Sequence, residues 1–103
     1  MPAEPLVARR EVEITNPLGL HLRPADRFVR LANSFGDTEI RVRYAGREFN
    51  GKSILELTML AAECGATLEL IAQGPQAEAA VAALAELIST GFDEEGHAEA
   101  LVS

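Results

Sequence analysis

Gly19-Leu20-His21-Leu22-Arg23-Pro24-Ala25 puts an imidazole, a guanidinium and a proline on a short run of chain. From Pro24 onward the pattern turns helical, because Ala25, Phe28, Val29 and Ala32 recur at helical spacing, with Leu31 and Phe35 close to that face. Proline suits a first helical turn, where its missing N–H breaks no bond. His21 therefore stands just before the first turn. The N–H groups of Leu22 and Arg23 lack partners within the helix and can point at a group carried on His21. The positive helix end disfavours imidazolium, leaving the neutral, nucleophilic imidazole. The same helix end, its amides and the Arg23 guanidinium stabilise an anion. A neutral imidazole beside an anion nest suits acceptance of a phosphoryl group on nitrogen. A histidine that merely caps the helix, and an arginine that is merely solvated, would show the same spacing.

A second run, Asn50-Gly51-Lys52-Ser53-Ile54-Leu55, leads into another helix. Ser53 with Glu56 three residues on is a capping box. A phosphate on Ser53 would be tolerated at a helix N-terminus and would add about −1.5 to −2 charges. Glu56 would repel it. Arg23, Arg27, Arg30 and Lys52 form a basic rim on the His21 side in this reading. Ile54 and Leu55 lie beside Ser53, and at least one is expected to be exposed, since Leu57, Leu60 and Ala61 suffice for burial. An apolar patch ringed by bases is a docking face for an acidic partner; the same arginines also read as a solvated helix face.

Gly46-Arg47-Glu48-Phe49-Asn50-Gly51-Lys52-Ser53 matches the nucleotide-binding pattern G-x-x-x-x-G-K-[ST] letter for letter. Its context is wrong. The preceding strand is amphipathic rather than buried on both faces. Arg47–Asn50 itself reads as a strand with Phe49 inward, and no apolar run ending in aspartate follows to hold magnesium. Nucleotide binding is set aside.

The elements that must position these residues alternate in period. Glu11–Thr15 reads as a strand with one buried face, and Asn16-Pro17-Leu18-Gly19 as a loop. The first helix runs from Pro24 with Gly36 as its stop. Thr38–Tyr44 alternates, with Ile40, Val42 and Tyr44 inward. Ala45-Gly46 is a hairpin turn, and Arg47–Asn50 the returning strand. Ser53 opens a short helix to about Leu60. Thr67–Ala72 is a strand with Leu68, Leu70 and Ala72 on one face. Pro75 starts a third helix with an apolar stripe of Ala77, Ala80, Val81, Leu84, Leu87 and Ile88, capped by Gly91. Phe92–Ser103 reads as an acidic, frayed tail. The order β-α-β-β-α-β-α, with one apolar face per element, predicts an α+β two-layer sandwich. An antiparallel sheet would carry helices on one side and charges on the other.

With 103 residues the chain is expected to be one domain, ordered over about 7–91. Hydrophobic residues are 48% and aromatics 5%, so the core must be aliphatic. The net charge of −7 is uneven. Residues 1–62 hold all nine bases and eight acids, net +1, whereas residues 63–103 hold eight acids and no base, net −8. The overall acidity opposes nucleic-acid binding, while the first half leaves room for a local basic surface. The lone Cys64 excludes an internal disulfide and a thiolate cluster, and is expected to be buried or incidental. His97 has no companion ligand, so no metal site is expected. No 18-residue apolar run and no apolar leader are present, which points to a cytoplasmic protein without membrane insertion.

Asn16-Pro17-Leu18-Gly19-Leu20-His21-Leu22-Arg23-Pro24-Ala25 resembles the active-site segment of HPr, the histidine-containing phosphocarrier family of the bacterial sugar phosphotransferase system. The Asn50–Leu55 block resembles that family's regulatory-serine segment. Block spacing, element order and length agree over roughly residues 10–91. The resemblance implies an antiparallel sheet of order 1-4-2-3 covered by three helices. It implies that His21 accepts phosphate on Nδ1 from Enzyme I, itself phosphorylated by phosphoenolpyruvate. His21 would pass the phosphate to Enzyme IIA-type domains or another histidine acceptor. Arg23 would stabilise the phosphate, Asn16 would position the loop, with Gly19, Leu22 and Pro24 in support. Ser53 would be modified by an ATP-dependent HPr kinase/phosphorylase. The carrier would be a monomer, not an enzyme, and would need no cofactor. Asp26, Leu22 and Glu56 depart from the family pattern and bear on partner affinity, transfer rate and serine modification. Two other functions fit parts of the chain: a regulatory module read through Ser53 phosphorylation without sugar transport, and a small acylphosphatase-like hydrolase. The latter lacks a second acid–base residue near His21.

Overall fold

A computed structural model describes residues 6–93. The elements are β1 (Val7–Glu13), α1 (Leu22–Asn33), β2 (Glu39–Tyr44), β3 (Arg47–Asn50), α2 (Ile54–Leu60), β4 (Thr67–Gln73) and α3 (Ala77–Ser89). The four strands form one antiparallel sheet ordered β1-β4-β2-β3. Strand alternation assigns the two faces. Ala8, Ile40, Val42, Phe49, Leu68, Leu70 and Ala72 are buried on one face. The helices cover that face. Helix α1 contributes Ala25, Phe28 and Ala32, α2 contributes Leu57 and Leu60, and α3 contributes Ala77, Ala80, Val81, Leu84, Ala85 and Ile88.

The open face carries ion pairs across all four strands. They run from Arg9 to Glu69 at 3.7 Å, from Glu69 to Arg43 at 3.6 Å and from Arg43 to Glu48 at 4.0 Å. Arg41 then joins Glu48 at 3.0 Å and Glu39 at 2.9 Å. Each exposed pair contributes only about 0.2–1 kcal/mol. Their larger consequence is a solvated surface that does not stack on another sheet.

Several boundaries differ from the pattern-based expectation. Strand β1 begins at Val7, four residues before Glu11, and ends at Glu13. Alternation is masked there because Arg10 pairs with the buried Leu70 and yet is exposed. An edge strand lets such a side chain reach past the helical layer to water. Helix α1 stops at Asn33, not at Gly36; the N–H groups of Ser34 and Phe35 close its last turn on the Leu31 and Ala32 carbonyls at 3.0 and 3.1 Å. Tyr44 and Leu87 are half-buried rather than fully inward. Phe92, assigned to a frayed tail, is completely buried. Residues 94–103, including His97, lie outside the described residues.

The Gly46–Ser53 segment is a hairpin strand and a helix start. Ala45 and Gly46 both have positive φ, +54° and +79°, which is the type I′ turn that matches strand twist. Arg47–Asn50 then pairs along β2. A phosphate cradle has no room to form from residues already in a β-ladder.

Candidate functional site

The loop between β1 and α1 is tied to the connection between α2 and β4. The N–H of Ile14 donates to the Ala66 carbonyl at 2.9 Å, that of Gly65 to Ile14 at 2.7 Å, and that of Leu20 to Ala62 at 2.8 Å. Asn16 is 1% exposed, and its Nδ2 donates to the Gly19 carbonyl at 2.7 Å. Gly19 has φ +70°, and a Cβ there would stand 2.5 Å from the Ala62 carbonyl oxygen. Only glycine fits both the backbone conformation and the gap. Leu20 is buried and anchors the loop from below.

This scaffold delivers His21 to the N-cap of α1, in extended conformation at φ −89°, ψ −169°. Its carbonyl accepts the first helical bond, from Ala25 N–H at 3.0 Å. Its side chain does not cap the helix. The Nε2 atom is buried. The next two N–H groups, of Leu22 and Arg23, begin the helix without intrahelical acceptors. Pro24 is buried in the first turn and offers no N–H. Leu18, His21, Leu22, Arg23 and Asp26 line an open depression of about 710 Å³. Leu18 and Leu22 are 77% and 65% exposed, giving the imidazole an apolar flank.

The four bases expected around His21 have unequal roles. Arg23 is exposed at the depression. Arg30 is paired with Asp26 at 2.8 Å, which draws the Asp26 charge along the helix. Arg27 is half-buried, and its Nη1 donates to the Phe92 carbonyl at 3.1 Å. Lys52 Nζ donates to the Phe35 carbonyl at 2.6 Å. Leu55 is 68% exposed, Ile54 half-buried, and Met59, which the sequence reading missed, 59% exposed. The exposure of Leu18 was also missed; its position between Pro17 and Gly19, outside any periodic face, is the signal that could have shown it.

Ser53 is the N-cap of α2, and its Oγ accepts from the Glu56 N–H at 3.2 Å. The reciprocal half of the box is displaced: Glu56 Oε1 accepts from the Asn50 N–H at 2.8 Å, while the Ser53 N–H donates to the Asn50 carbonyl at 3.1 Å. Asn50 Oδ1 in turn accepts from the Lys52 N–H at 2.9 Å. Cys64 is exposed rather than buried, with Sγ 3.6 Å from the Thr15 carbonyl. Among the described residues no three His, Cys, Asp or Glu side chains cluster as a metal site, and no helix is long and apolar enough to cross a membrane.

Residues 8–90 match the family model described as the PTS HPr component phosphorylation site. The chain belongs to the HPr family of phosphocarrier proteins. It is 41% identical over 91 residues to phosphocarrier protein NPr of Escherichia coli strain K12, covering 87% of this chain and all of that protein. It is 38% identical over 86 residues to phosphocarrier protein HPr of Treponema pallidum, covering 84% and 97%. The crystal structure of HPr-C-His from Thermoanaerobacter tengcongensis superposes with a TM-score of 0.80 at 37% identity, over 84% of this chain and 97% of that one. The sheet order and the three covering helices are those expected from the HPr resemblance. Leu22, Asp26 and Glu56, expected to bear on partner affinity, transfer rate and serine modification, all stand at the two motif blocks. The first two line the depression beside His21, and the third holds the turn before Ser53.

Proposed function

We propose that this HPr-family chain carries its phosphoryl group on Nδ1 of His21. The observation that carries the reading is an imidazole at a helix N-cap that does not cap the helix and has Nε2 buried. The lone pair on Nδ1 attacks the phosphorus of phospho-Enzyme I. The new N–P bond forms as the bond to the donor atom breaks, and the donor atom keeps that electron pair. The Leu22 and Arg23 N–H groups and the Arg23 guanidinium offset the charge on the transferring oxygens. Reversal of the step onto an Enzyme IIA-type acceptor returns His21 to its starting state. The chain is thus a carrier and substrate, a cytoplasmic monomer that works without a cofactor. Leu18, Leu22, Leu55 and Met59 supply the apolar part of the docking face.

Ser53 is the regulatory position in this reading. A phosphate there would add charge close to Leu55 and Lys52 and weaken docking of an acidic partner. Its hydroxyl already accepts the Glu56 N–H, and the Glu56 carboxylate is held in the same turn by the Asn50 N–H. Modification by an ATP-dependent kinase therefore works against both the cap and a fixed like charge.

The deciding experiment offers phosphoenolpyruvate and a generic Enzyme I to wild type and to His21→Ala. Acid-labile, alkali-stable label on wild type alone supports the carrier. No label on correctly folded wild type overturns it as a substrate of that donor. The protein is then offered ATP and the serine kinase, and label on Ser53 would favour the regulatory module.

A further inference from the structure

Arg27 was expected in the basic rim that meets partners, yet its guanidinium donates to a main-chain carbonyl 65 residues away. The acceptor is Phe92, at 3.1 Å. Phe92 lies in the turn Gly91–Asp93 that follows α3. That turn is backbone of an uncommon kind. Gly91 has φ +67°, and Phe92, which is not glycine, has φ +58° with its ring completely buried. A left-handed phenylalanine persists only where its surroundings hold it. The buried ring is one holder, and the Arg27 hydrogen bond is another. A charge-assisted bond to a carbonyl in a half-buried place is stronger than an ordinary surface contact.

The turn also backs onto the His21 loop. A Cβ on Gly91 would meet Asn16 Cβ at 3.9 Å, which is ordinary van der Waals contact. Asn16 Nδ2 holds the Gly19 carbonyl, and Gly19 accepts the His21 N–H at 3.1 Å. These neighbours form a ring. Arg27 stands on the helix that His21 begins and bonds to the Gly91–Asp93 turn, and Gly91 of that turn lies beside Asn16, which shapes the loop feeding His21.

We propose that Arg27 is a positioning residue for phosphoryl transfer, acting through the Phe92 turn and Asn16 rather than by touching a partner. The proposal rests on His21 as the acceptor. It separates from a docking role by its kinetic signature, because a docking residue changes recognition of the donor and a positioning residue changes the transfer step.

The test compares wild type, Arg27→Gln and Arg27→Lys as acceptors from phospho-Enzyme I. The readouts are kcat, KM for the donor, and the backbone amide spectrum. Arg27→Gln is expected to lower kcat about tenfold with KM within twofold, the scale of effect of a small misplacement at the reacting atom. Its amide shifts should concentrate at Asn16, Gly19, His21 and Phe92. Arg27→Lys keeps a cationic donor and should recover kcat to within about threefold of wild type. A raised KM with unchanged kcat would overturn the proposal in favour of docking. Unmoved amides at Asn16 to His21 would also overturn it, whatever the kinetics. If Arg27→Gln does not fold, Arg27→Lys decides through the amide spectrum: shifts at Asn16, Gly19, His21 and Phe92 support the proposal, and their absence overturns it. If wild type takes no label, the acceptor reading fails, while the amide comparison still judges the ring of contacts.

Discussion

Asn16 and Gly19 hold each other from both sides: the Asn16 Nδ2 donates to the Gly19 carbonyl at 2.7 Å, and the Gly19 N–H donates to the Asn16 carbonyl at 3.0 Å. The first bond is buried. Asn16→Ala would remove one buried donor from the Gly19 carbonyl, which keeps the His21 N–H at 3.1 Å, a loss of about 0.5–1.5 kcal/mol. A lower urea midpoint with an unchanged denaturant slope, together with slower label uptake at His21, is the expected result. An unchanged midpoint would mean that the loop holds its shape without this bond.

Gly19→Ala should cost more than a usual surface change. The residue has φ +70°, and its new Cβ would stand 2.5 Å from the Ala62 carbonyl oxygen. Strain at positive φ alone is of order 1–3 kcal/mol. The loop must also move away from the α2–β4 connection. A Tm drop of several degrees and loss of the protected Leu20 amide in hydrogen exchange would register this. Equal Tm values would show that the connection gives way freely.

Arg23→Ala removes an exposed guanidinium from the depression next to His21. Its effect on stability should stay within about 0.5 kcal/mol. Phosphoryl uptake should fall roughly 10²-fold, the size expected when one preorganised donor to a charged transition state is removed. Full activity in Arg23→Ala would leave the anion to the Leu22 and Arg23 amides alone.

At Ser53 the cap and the modification compete. Ser53→Ala should destabilise the protein by about 1 kcal/mol through loss of the bond to the Glu56 N–H. Glu56→Gln keeps a group able to accept the Asn50 N–H while removing the charge. ATP-dependent phosphorylation of Ser53 should therefore rise several-fold in Glu56→Gln relative to wild type. The same rate in both proteins would show that Glu56 is no obstacle to the kinase.

Asp26 and Arg30 give a control for these effects. Their pair is exposed and spaced one helical turn apart. Arg30→Ala should change stability by no more than about 0.5 kcal/mol. A larger loss by chemical denaturation would mean that the pair organises the first turns of α1.

The sequence by itself determined what depends on a turn or two of chain. Helical period and the proline rule put His21 ahead of α1, and the Ser53–Glu56 spacing put a cap on α2. Alternation set Ile40, Val42, Leu68, Leu70 and Ala72 on the covered face. Element order and the two motif blocks identified the family, and from it the strand order. Tertiary structure alone decided the rest, because the deciding atoms come from distant segments. The burial of His21 Nε2 is one such outcome. A carbonyl from the far end of the chain takes Arg27 out of the solvated rim, and the Phe35 carbonyl does the same to Lys52. Arg10 hid the start of β1 because nothing local says which strand will lie at the sheet edge. Phe92 read as tail because an isolated aromatic after a glycine has no period; only the space left beneath α1 and α3 makes it core.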